Sequence, residues 1–429
     1  MYTLAPQNPK DRFEVYRFFN GLSEQAKEGL DARRPRVPLV KTFLLEHVSS
    51  RGEGHPKPAD RIFEGLGANV RKIDESFMSL AFEITDPVTK KQQWATVGFL
   101  EQYDERFFAY YTCEESVEAK KRVRQWILSP DLDAAWFSSP LLQVLWDRDV
   151  SRRGDNRFSK LVFRHESIFD MPGDFVAGDV VSDGPDSERE EPGFEDDVEA
   201  FEDRFEIERR KARFEMGDRI GQIRAALQKL QNQYSPLNAL YALKFPSLSG
   251  RGSHELYQYG QVTNRTDSFE DHRNTVRYLY RIYKSVVDIT EEHAWPKFGP
   301  TGLSTGLNGV PLIVRFDEEL SEATFNRWME LAFRRRNRFK LWGRPIRLGP
   351  RKVHVYGADR HLWQPINLEI TSKYLVAILP HGTCGNTFHR LVANIQHYVC
   401  PKIRAWIGEQ PFEEIVGTWS SGAGEDNES

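Results

Sequence analysis

Residues 75–84, ESFMSLAFEI, alternate between two sets of side chains in the manner of a half-buried β-strand. One set of alternate positions is wholly apolar: Met78, Leu80, Phe82 and Ile84. Strand-like runs follow at 94–103 and 105–113, and helix-like runs follow at 116–128 and 132–146. With a helix predicted at 11–30 and a closing strand at 157–169, residues 1–170 are predicted to form an α+β domain.

The composition changes sharply after Phe169. Between 174 and 208 the chain carries fifteen acidic residues and only two cations, Arg189 and Arg204. Glycine and proline accompany the first acids, which predicts an acidic disordered linker at 171–200.

A helical segment with a hairpin is predicted next, at 201–295, with Gly260 near the hairpin turn. Apolar residues step by four and three near its start, which is heptad spacing: Met216, Ile220, Ile223, Leu227 and Leu230. The pattern covers little more than two heptads. It therefore predicts a short coiled-coil-like pairing with another helix of the chain.

The remaining sequence predicts a second compact α+β domain. A Gly/Pro-rich loop is expected at 296–309, and a β-α-β-β-β-β-α order fills 310–415. The last stretch, 416–429, has the composition of a disordered tail. The expected architecture is thus at least two compact domains of mixed helices and strands, joined by the acidic linker and the helical segment.

Several classes of protein are disfavoured by composition. No apolar run approaches the ~18 residues that cross a bilayer, and the N-terminus lacks a secretory pattern, so no membrane association is expected. The three cysteines, Cys113, Cys384 and Cys400, are far apart, which favours a reducing, cytoplasmic location. No metal-binding or cofactor-binding motif is present, so neither a metal nor an organic cofactor is predicted.

The strongest candidate for function is a basic stretch at 333–363, with ten cations and one acid, Asp359, in a chain of net charge −4. Cations that neutralise phosphates, with aromatic residues that stack on bases, are typical of nucleic-acid binding. The predicted contact residues are Arg334, Arg335, Arg336, Arg338, Lys340, Trp342, Arg344, Arg347, Arg351, Lys352 and Arg360. Alternation around Lys352, His354 and Tyr356 predicts a sheet with one cationic face.

The basic stretch leaves three interpretations open. It could bind DNA, RNA or another polyanion, form an ordinary solvated surface, or bind an acidic protein partner. The acidic run at 174–208 could occupy the cationic face and compete with nucleic acid, or could serve only as a solvated spacer. A scaffold for protein–protein contacts, or a subunit of a larger complex, is a further alternative.

A second candidate site surrounds Cys384, where a predicted strand runs through a glycine-rich turn into a helix. A helix N-terminus attracts anions and lowers the pKa of a nearby thiol, and His381 or His389 could act as the base. This pattern predicts a Cys-dependent hydrolase or transferase. The alternative is a small cysteine that fills a tight turn.

Two weaker patterns complete the set. Residues 302–306, GLSTG, match the nucleophile elbow of hydrolases but lack its strand-to-helix context, so a flexible loop is expected there. Arg265 and His272 could form an RNA-cleaving pair, although Arg265 is expected to precede the helix that carries His272.

Overall fold

The computed structural model describes the following ranges of the chain: 5–31, 37–47, 57–85, 91–150, 154–170, 211–247, 252–301, 304–333 and 337–417. Within these ranges, no helix combines the length and the apolar character that a membrane crossing requires. The predicted linker at 171–200 and most of the predicted tail at 416–429 lie outside them.

A large antiparallel sheet of eleven strands is built from the first two-thirds of the chain, in the order β2-β3-β4-β5-β1-β11-β10-β9-β7-β8, with β6 paired to β1. Its strands are β1 (Lys41–Glu46), β2 (Asn69–Lys72), β3 (Phe77–Thr85), β4 (Gln92–Gln102), β5 (Phe107–Thr112), β6 (Asp133–Ala134), β7 (Phe158–Glu166), β8 (Lys211–Arg219), β9 (Leu240–Pro246), β10 (Ser253–Tyr257) and β11 (Gln261–Asn264).

Helices accompany this sheet at the positions where apolar residues recur with helical spacing. They are α1 (Arg12–Asp31), α2 (Ala59–Gly65), α3 (Ser116–Trp126), α4 (Ser139–Leu145), α5 (Ile220–Gln233) and α6 (Phe269–Ala294). Ser268 caps α6 by accepting a hydrogen bond from the Asp271 N–H. One face of α6 is buried along its whole length, so this helix packs against other parts of the protein from end to end.

The large sheet crosses the predicted boundary at residue 170. The strand β7 pairs with β8 and β9, which both come after the acidic run, so residues on either side of 171–210 share one sheet. The expected heptad helix is also shorter than predicted, because Met216 lies in β8 and the helix α5 begins only at Ile220. The predicted hairpin is confirmed as β10 and β11, with Gly260 between them.

A second antiparallel sheet of seven strands, in the order β15-β16-β17-β18-β14-β19-β20, forms the C-terminal part. Its elements are β14 (Leu312–Phe316), α7 (Glu322–Ala332), β15 (Leu341–Gly349), β16 (Lys352–Asp359), β17 (Gln364–Thr371), β18 (Tyr374–Ile378), α8 (Asn386–Tyr398), β19 (Ile403–Ile407), β20 (Gln410–Pro411) and α9 (Phe412–Gly417). The mixed α+β composition expected from the sequence is therefore confirmed.

The segment expected to be a loop at 296–309 is instead a two-stranded hairpin, β12 (Lys297–Thr301) and β13 (Ser304–Asn308). Past this hairpin, the buried positions of the second sheet share a contiguous apolar core with α7 and α8, represented by Val355, Trp328 and Leu391. The same core contains side chains of the large sheet, such as Val262. The two sheets thus pack within one continuous interior, and the alternate positions of the second sheet point away from it.

Candidate nucleic-acid interface

The outward side of the second sheet, here called the open face, is formed by alternate residues of neighbouring strands. Its members on the first four strands are Trp342, Arg344, Ile346, Lys352, His354, Tyr356, Asn367, Glu369, Val376 and Ile378. The intervening residues, such as Val353 and Val355, are buried against the helices. The predicted alternation around Lys352 and Tyr356 therefore places these side chains on one face.

Three aromatic rings are exposed at one end of the open face. Trp342 is 55% exposed, Tyr356 is 69% exposed and Trp363, in the turn between β16 and β17, is 56% exposed. The rings of Trp342 and Trp363 meet edge to face, with 6.5 Å between their centroids. These rings are large apolar surfaces that the fold leaves in contact with water.

The backbone of the turn that presents Trp363 is strained. Leu362 and Trp363 have φ angles of 63° and 53°, in the left-handed region that bulky side chains rarely adopt. Close strand contact helps to position Trp342, because a Cβ at Gly357 would lie 2.3 Å from the Trp342 carbonyl oxygen. Strain of this kind persists only where the surrounding structure enforces it, and it concentrates at functional sites.

The charge of the open face is smaller than the sequence predicts. Arg344 is exposed and lies directly opposite Tyr356 in the strand register. Glu369, in contrast, forms an ion pair with Lys352 at 3.0 Å and a hydrogen bond with His354 Nε2 at 2.6 Å. Hydrogen bonds from Tyr374, Lys352 and His354 lower the pKa of Glu369 to about 2, so this carboxylate remains ionised.

Other predicted contact residues lie away from the open face. Arg347 is exposed and donates to the Asn326 side chain at 2.7 Å, and Arg351 pairs with Glu319 at 3.0 Å. Arg360 is half-buried, and its backbone N–H donates to the carbonyl of Lys340. The remaining three, Arg334, Arg335 and Arg336, lie outside the described residues.

Two further cations of the basic stretch point into the protein. Lys340 is buried, and its Nζ donates to the Leu132 carbonyl oxygen at 2.8 Å. Burial lowers the pKa of Lys340 to about 8, although Asp133 at 3.8 Å favours its charged form. Arg338 is half-buried with its guanidinium 5.5 Å from the centre of the Tyr398 ring. The prediction that the basic stretch forms one cationic surface is therefore wrong among the described residues.

A buried ion network joins the two sheets behind the open face. Arg390 of α8 is fully buried and bonds both Asp133 of β6 and Asp359 of β16. Its Nε also donates to the Phe339 carbonyl oxygen at 3.0 Å. Burial opposes ionisation of Asp133, but Lys340 and Arg390 outweigh it and hold the pKa of Asp133 at about 2. The single acid of the basic stretch, Asp359, is thus a partner of Arg390.

Cys384 belongs to a different buried cluster. Its thiol donates to Glu46 Oε1 at 3.3 Å, and Arg106 binds Glu46 at 2.6 Å and Glu291 at 2.5 Å. Burial, together with the charge of Glu46, raises the pKa of Cys384 well above its ordinary value. The expectation that the helix N-terminus lowers this pKa is therefore wrong.

The backbone amides before α8 are also occupied. The N–H of Gly385 donates to Glu291 at 2.9 Å, and that of Cys384 donates to the Gln364 side chain at 2.8 Å. An internal carboxylate, Glu291, thus occupies the helix N-terminus that the sequence predicted to attract an anion. Burial raises the pKa of Glu46 to about 7, and the charge of Glu291 adds to this rise, although Arg106 opposes it.

The two histidines near Cys384 do not form a base for it. His389 is buried and its Nε2 lies 3.3 Å from Thr290 Oγ1, while burial and Arg106 lower its pKa to about 3. His381 is exposed, with its ring 5.0 Å from that of Trp295. Across the described ranges, no cluster of histidine, cysteine and carboxylate side chains has the arrangement of a metal site.

The weaker sequence patterns also lack catalytic geometry. The serine of the GLSTG stretch, Ser304, begins strand β13, so no helix follows it, and Gly302 and Leu303 lie outside the described residues. Arg265 precedes α6 and pairs with Glu255 at 2.9 Å, whereas His272 is buried with its Nε2 2.7 Å from Thr42 Oγ1. Arg265 and His272 therefore engage different partners.

Sequence comparison matches this chain over most of the residues that build the two sheets. The profile of the MJECL33-like protein family matches residues 9–170 and 240–413. The chain belongs to this family. It is 23% identical over 405 residues to "Uncharacterized protein MJECL33" of Methanocaldococcus jannaschii, a match that covers 90% of this chain and 91% of that protein. No solved structure matches the chain.

The family profile does not match residues 171–239, the range that contains β8 and α5. The elements that build the open face all lie within the matched ranges. The residues that sequence reasoning missed are those of the interior, above all Arg390, Arg106 and Asp133. Arg390 lies on the side of α8 opposite Leu391 and Ile395, and every residue of this helix is buried, so the helical pattern of the sequence does not mark it as an interior residue.

Proposed function

We propose that this protein binds single-stranded nucleic acid on the open face of its second sheet. The observation that carries this proposal is the group of exposed rings, Trp342, Tyr356 and Trp363, with the exposed Arg344 directly opposite Tyr356 in the strand register. Every base has a π-face, so exposed aromatic side chains on a platform hold bases without regard to sequence. A cation beside the rings can then contact the phosphate that links two stacked bases.

The shape and charge of the open face favour a single strand over a duplex. A flat sheet surface enters neither groove of a duplex, whereas unpaired bases can spread over it. Because Glu369 offsets Lys352, the described residues of the open face offer one or two phosphate contacts. The salt dependence should therefore be shallow, with a slope of log K against log salt of about −0.7 to −1.4. Phosphate contacts from all ten cations of the basic stretch would give a steeper slope of log K against log salt.

Anisotropy titrations with fluorescent RNA and DNA oligonucleotides test the proposal. Stacking on one ring is worth about 1–3 kcal/mol, so Trp342→Ala and Tyr356→Ala should each raise Kd about 5- to 150-fold. A matched control is Trp94→Ala, because Trp94 is also 55% exposed but lies on β4 of the large sheet.

The control distinguishes stacking of bases on the open face from non-specific binding to any exposed aromatic side chain. We expect Trp94→Ala to bind like the parent, and we expect a duplex of the same sequence to bind more weakly than the single strand. If no oligonucleotide binds at low salt, or if all three variants lose affinity equally, the open face is not a nucleic-acid site. An ordinary solvated surface and a surface for a protein partner would then be the remaining interpretations.

A further inference from the structure

Glu369 of β17 lies on the open face and accepts hydrogen bonds from side chains of the strands on either side of it. Lys352 Nζ lies 3.0 Å from Glu369 Oε1, and the Tyr374 hydroxyl donates to the same oxygen at 2.6 Å. His354 Nε2 lies 2.6 Å from Glu369 Oε2. Both carboxylate oxygens are therefore engaged, and the donor groups of β16 and β18 converge on one place.

The groups that surround Glu369 are suited to an anion. Lysine and hydroxyl-bearing side chains are common partners of phosphate oxygens. Hydrogen bonds, first of all from Tyr374, lower the pKa of Glu369 to about 2, so the carboxylate is ionised at neutral pH and only accepts. His354 Nε2 must therefore carry a proton in order to donate to it. Glu369 is the anion that these donors hold in the folded protein.

This group of donors is close to the place where the phosphate of a stacked nucleotide would lie. His354 is two residues from Tyr356 on β16, so the two side chains leave the same face about 7 Å apart. Glu369 lies directly opposite His354, and Arg344 lies directly opposite Tyr356 on the other neighbouring strand. A base stacked on Tyr356 can thus direct its phosphates towards Arg344 or towards Glu369. The ionised carboxylate repels a phosphate from the second direction.

Apolar side chains flank Glu369 and His354 in the same row of the sheet. Ile346 lies opposite His354 on β15, and Val376 lies opposite Glu369 on β18. Neither can supply a charge in place of the carboxylate. Loss of the negative charge at Glu369 would therefore leave Lys352 available to a phosphate that crosses this row.

We propose that Glu369 is an internal anion that fills a phosphate-binding place on the open face. That place is built by Lys352, His354 and Tyr374. Glu369 thereby confines the bound nucleic acid to a short single strand at the end of the face that carries the aromatic rings. This inference rests on the proposed function and defines the length of strand that the site can hold.

Anisotropy titrations of Glu369→Gln over a salt series test the proposal. The amide keeps the size of the side chain and one acceptor oxygen, but it removes the counter-charge of Lys352. One or two added phosphate contacts should make the slope of log K against log salt steeper by about 0.7–1.4. A single strand long enough to cross the sheet should bind about tenfold more tightly at low salt, because a charge-assisted contact is gained. A dinucleotide, which cannot extend past Tyr356, should gain much less.

The matched control is Glu319→Gln, which makes the same change in net charge. Glu319 is also an exposed carboxylate that pairs with a cation, Arg351 at 3.0 Å, but it lies away from the open face. This variant should bind like the parent protein. Adding Lys352→Met to Glu369→Gln should return the slope to the parent value, since the freed cation is then gone. Urea unfolding checks that all variants are folded.

The outcomes separate this inference from the proposed function. If the parent binds and Glu369→Gln has the same affinity and slope, or if Glu319→Gln gains as much, the inference is overturned while nucleic-acid binding stands. If Glu369→Gln alone binds, the inference is supported and the proposed function of the parent protein is contradicted. If neither protein binds any oligonucleotide, both are overturned.

Discussion

The buried network around Arg390 gives the sharpest test of how the two sheets are held together. In Arg390→Met, a side chain of similar length is kept while Asp133 and Asp359 lose their shared cation. Breaking a buried ion pair from one side costs about 3–5 kcal/mol, because a carboxylate is left buried without compensation. Asp133 keeps Lys340 at 3.8 Å, and Asp359 keeps the His361 N–H at 2.9 Å. The lower end, about 3 kcal/mol, is therefore expected.

The pKa of Asp133 gives a second route to the same magnitude. It is lowered to about 2, and a shift of about two units corresponds to roughly 2–3 kcal/mol of stability at neutral pH. A carboxyl group with a lowered pKa stabilises the fold above its unfolded pKa, near 4. This contribution disappears as the pH falls towards 2. The loss caused by Arg390→Met should therefore be largest near neutral pH and should shrink on strong acidification.

Urea unfolding at pH 7, followed by circular dichroism, measures this loss. The control is Arg344→Met, because Arg344 is an exposed cation of the same kind and should change stability by less than about 0.5 kcal/mol. Adding Asp359→Asn to Arg390→Met should restore part of the loss, since it removes one of the uncompensated charges. If Arg390→Met stays within about 1 kcal/mol of the parent, the network does not carry the stability assigned to it here.

Two further outcomes follow from buried groups near α8. Burial raises the pKa of Cys384, and all three cysteines are buried. A thiol reagent at pH 8 should therefore modify Cys384 no faster than Cys113 or Cys400 until urea is added. Selective modification of Cys384 would restore the hydrolase or transferase hypothesis. The pKa of His389 is lowered to about 3, so between about pH 6.5 and 3 only the unfolded chain binds a proton at this residue. The stability of the parent protein should therefore decrease as the pH is lowered through that window. His389→Gln should therefore gain stability relative to the parent between pH 7 and pH 4, and a constant difference in urea unfolding would contradict this.

Local pattern was sufficient to predict many elements of this fold. Alternation at 75–84 predicted β3, and the helix-like run at 116–128 predicted α3. The pairing of β7 with β8 could not be predicted in this way. Strand pairing across more than forty residues depends on tertiary packing, and no turn chemistry in the sequence marks it.

The candidate site, like the fold, was predictable only where a regular local pattern applies. The period of two assigned Tyr356 and Lys352 to one face, because alternation holds wherever a strand is regular. It could not place Arg338 and Lys340, since these residues lie in a turn where Lys340 has a φ of 53°. Nor could sequence show that Glu369, from the next strand, would neutralise part of the basic stretch.

The edge strand β8 has a consequence for the solubility of the molecule. Among the described strands it pairs with β7 alone. It carries charged side chains at Arg213, Glu215 and Asp218 and lies in the part of the chain that the family profile does not match. Without it, β7 would present a row of unsatisfied N–H and C=O groups and the apolar Leu161 and Phe163 at an open border. Such borders recruit strands from other molecules, whereas a charged border repels them. The charged side chains of this edge strand are therefore expected to disfavour self-association of the large sheet.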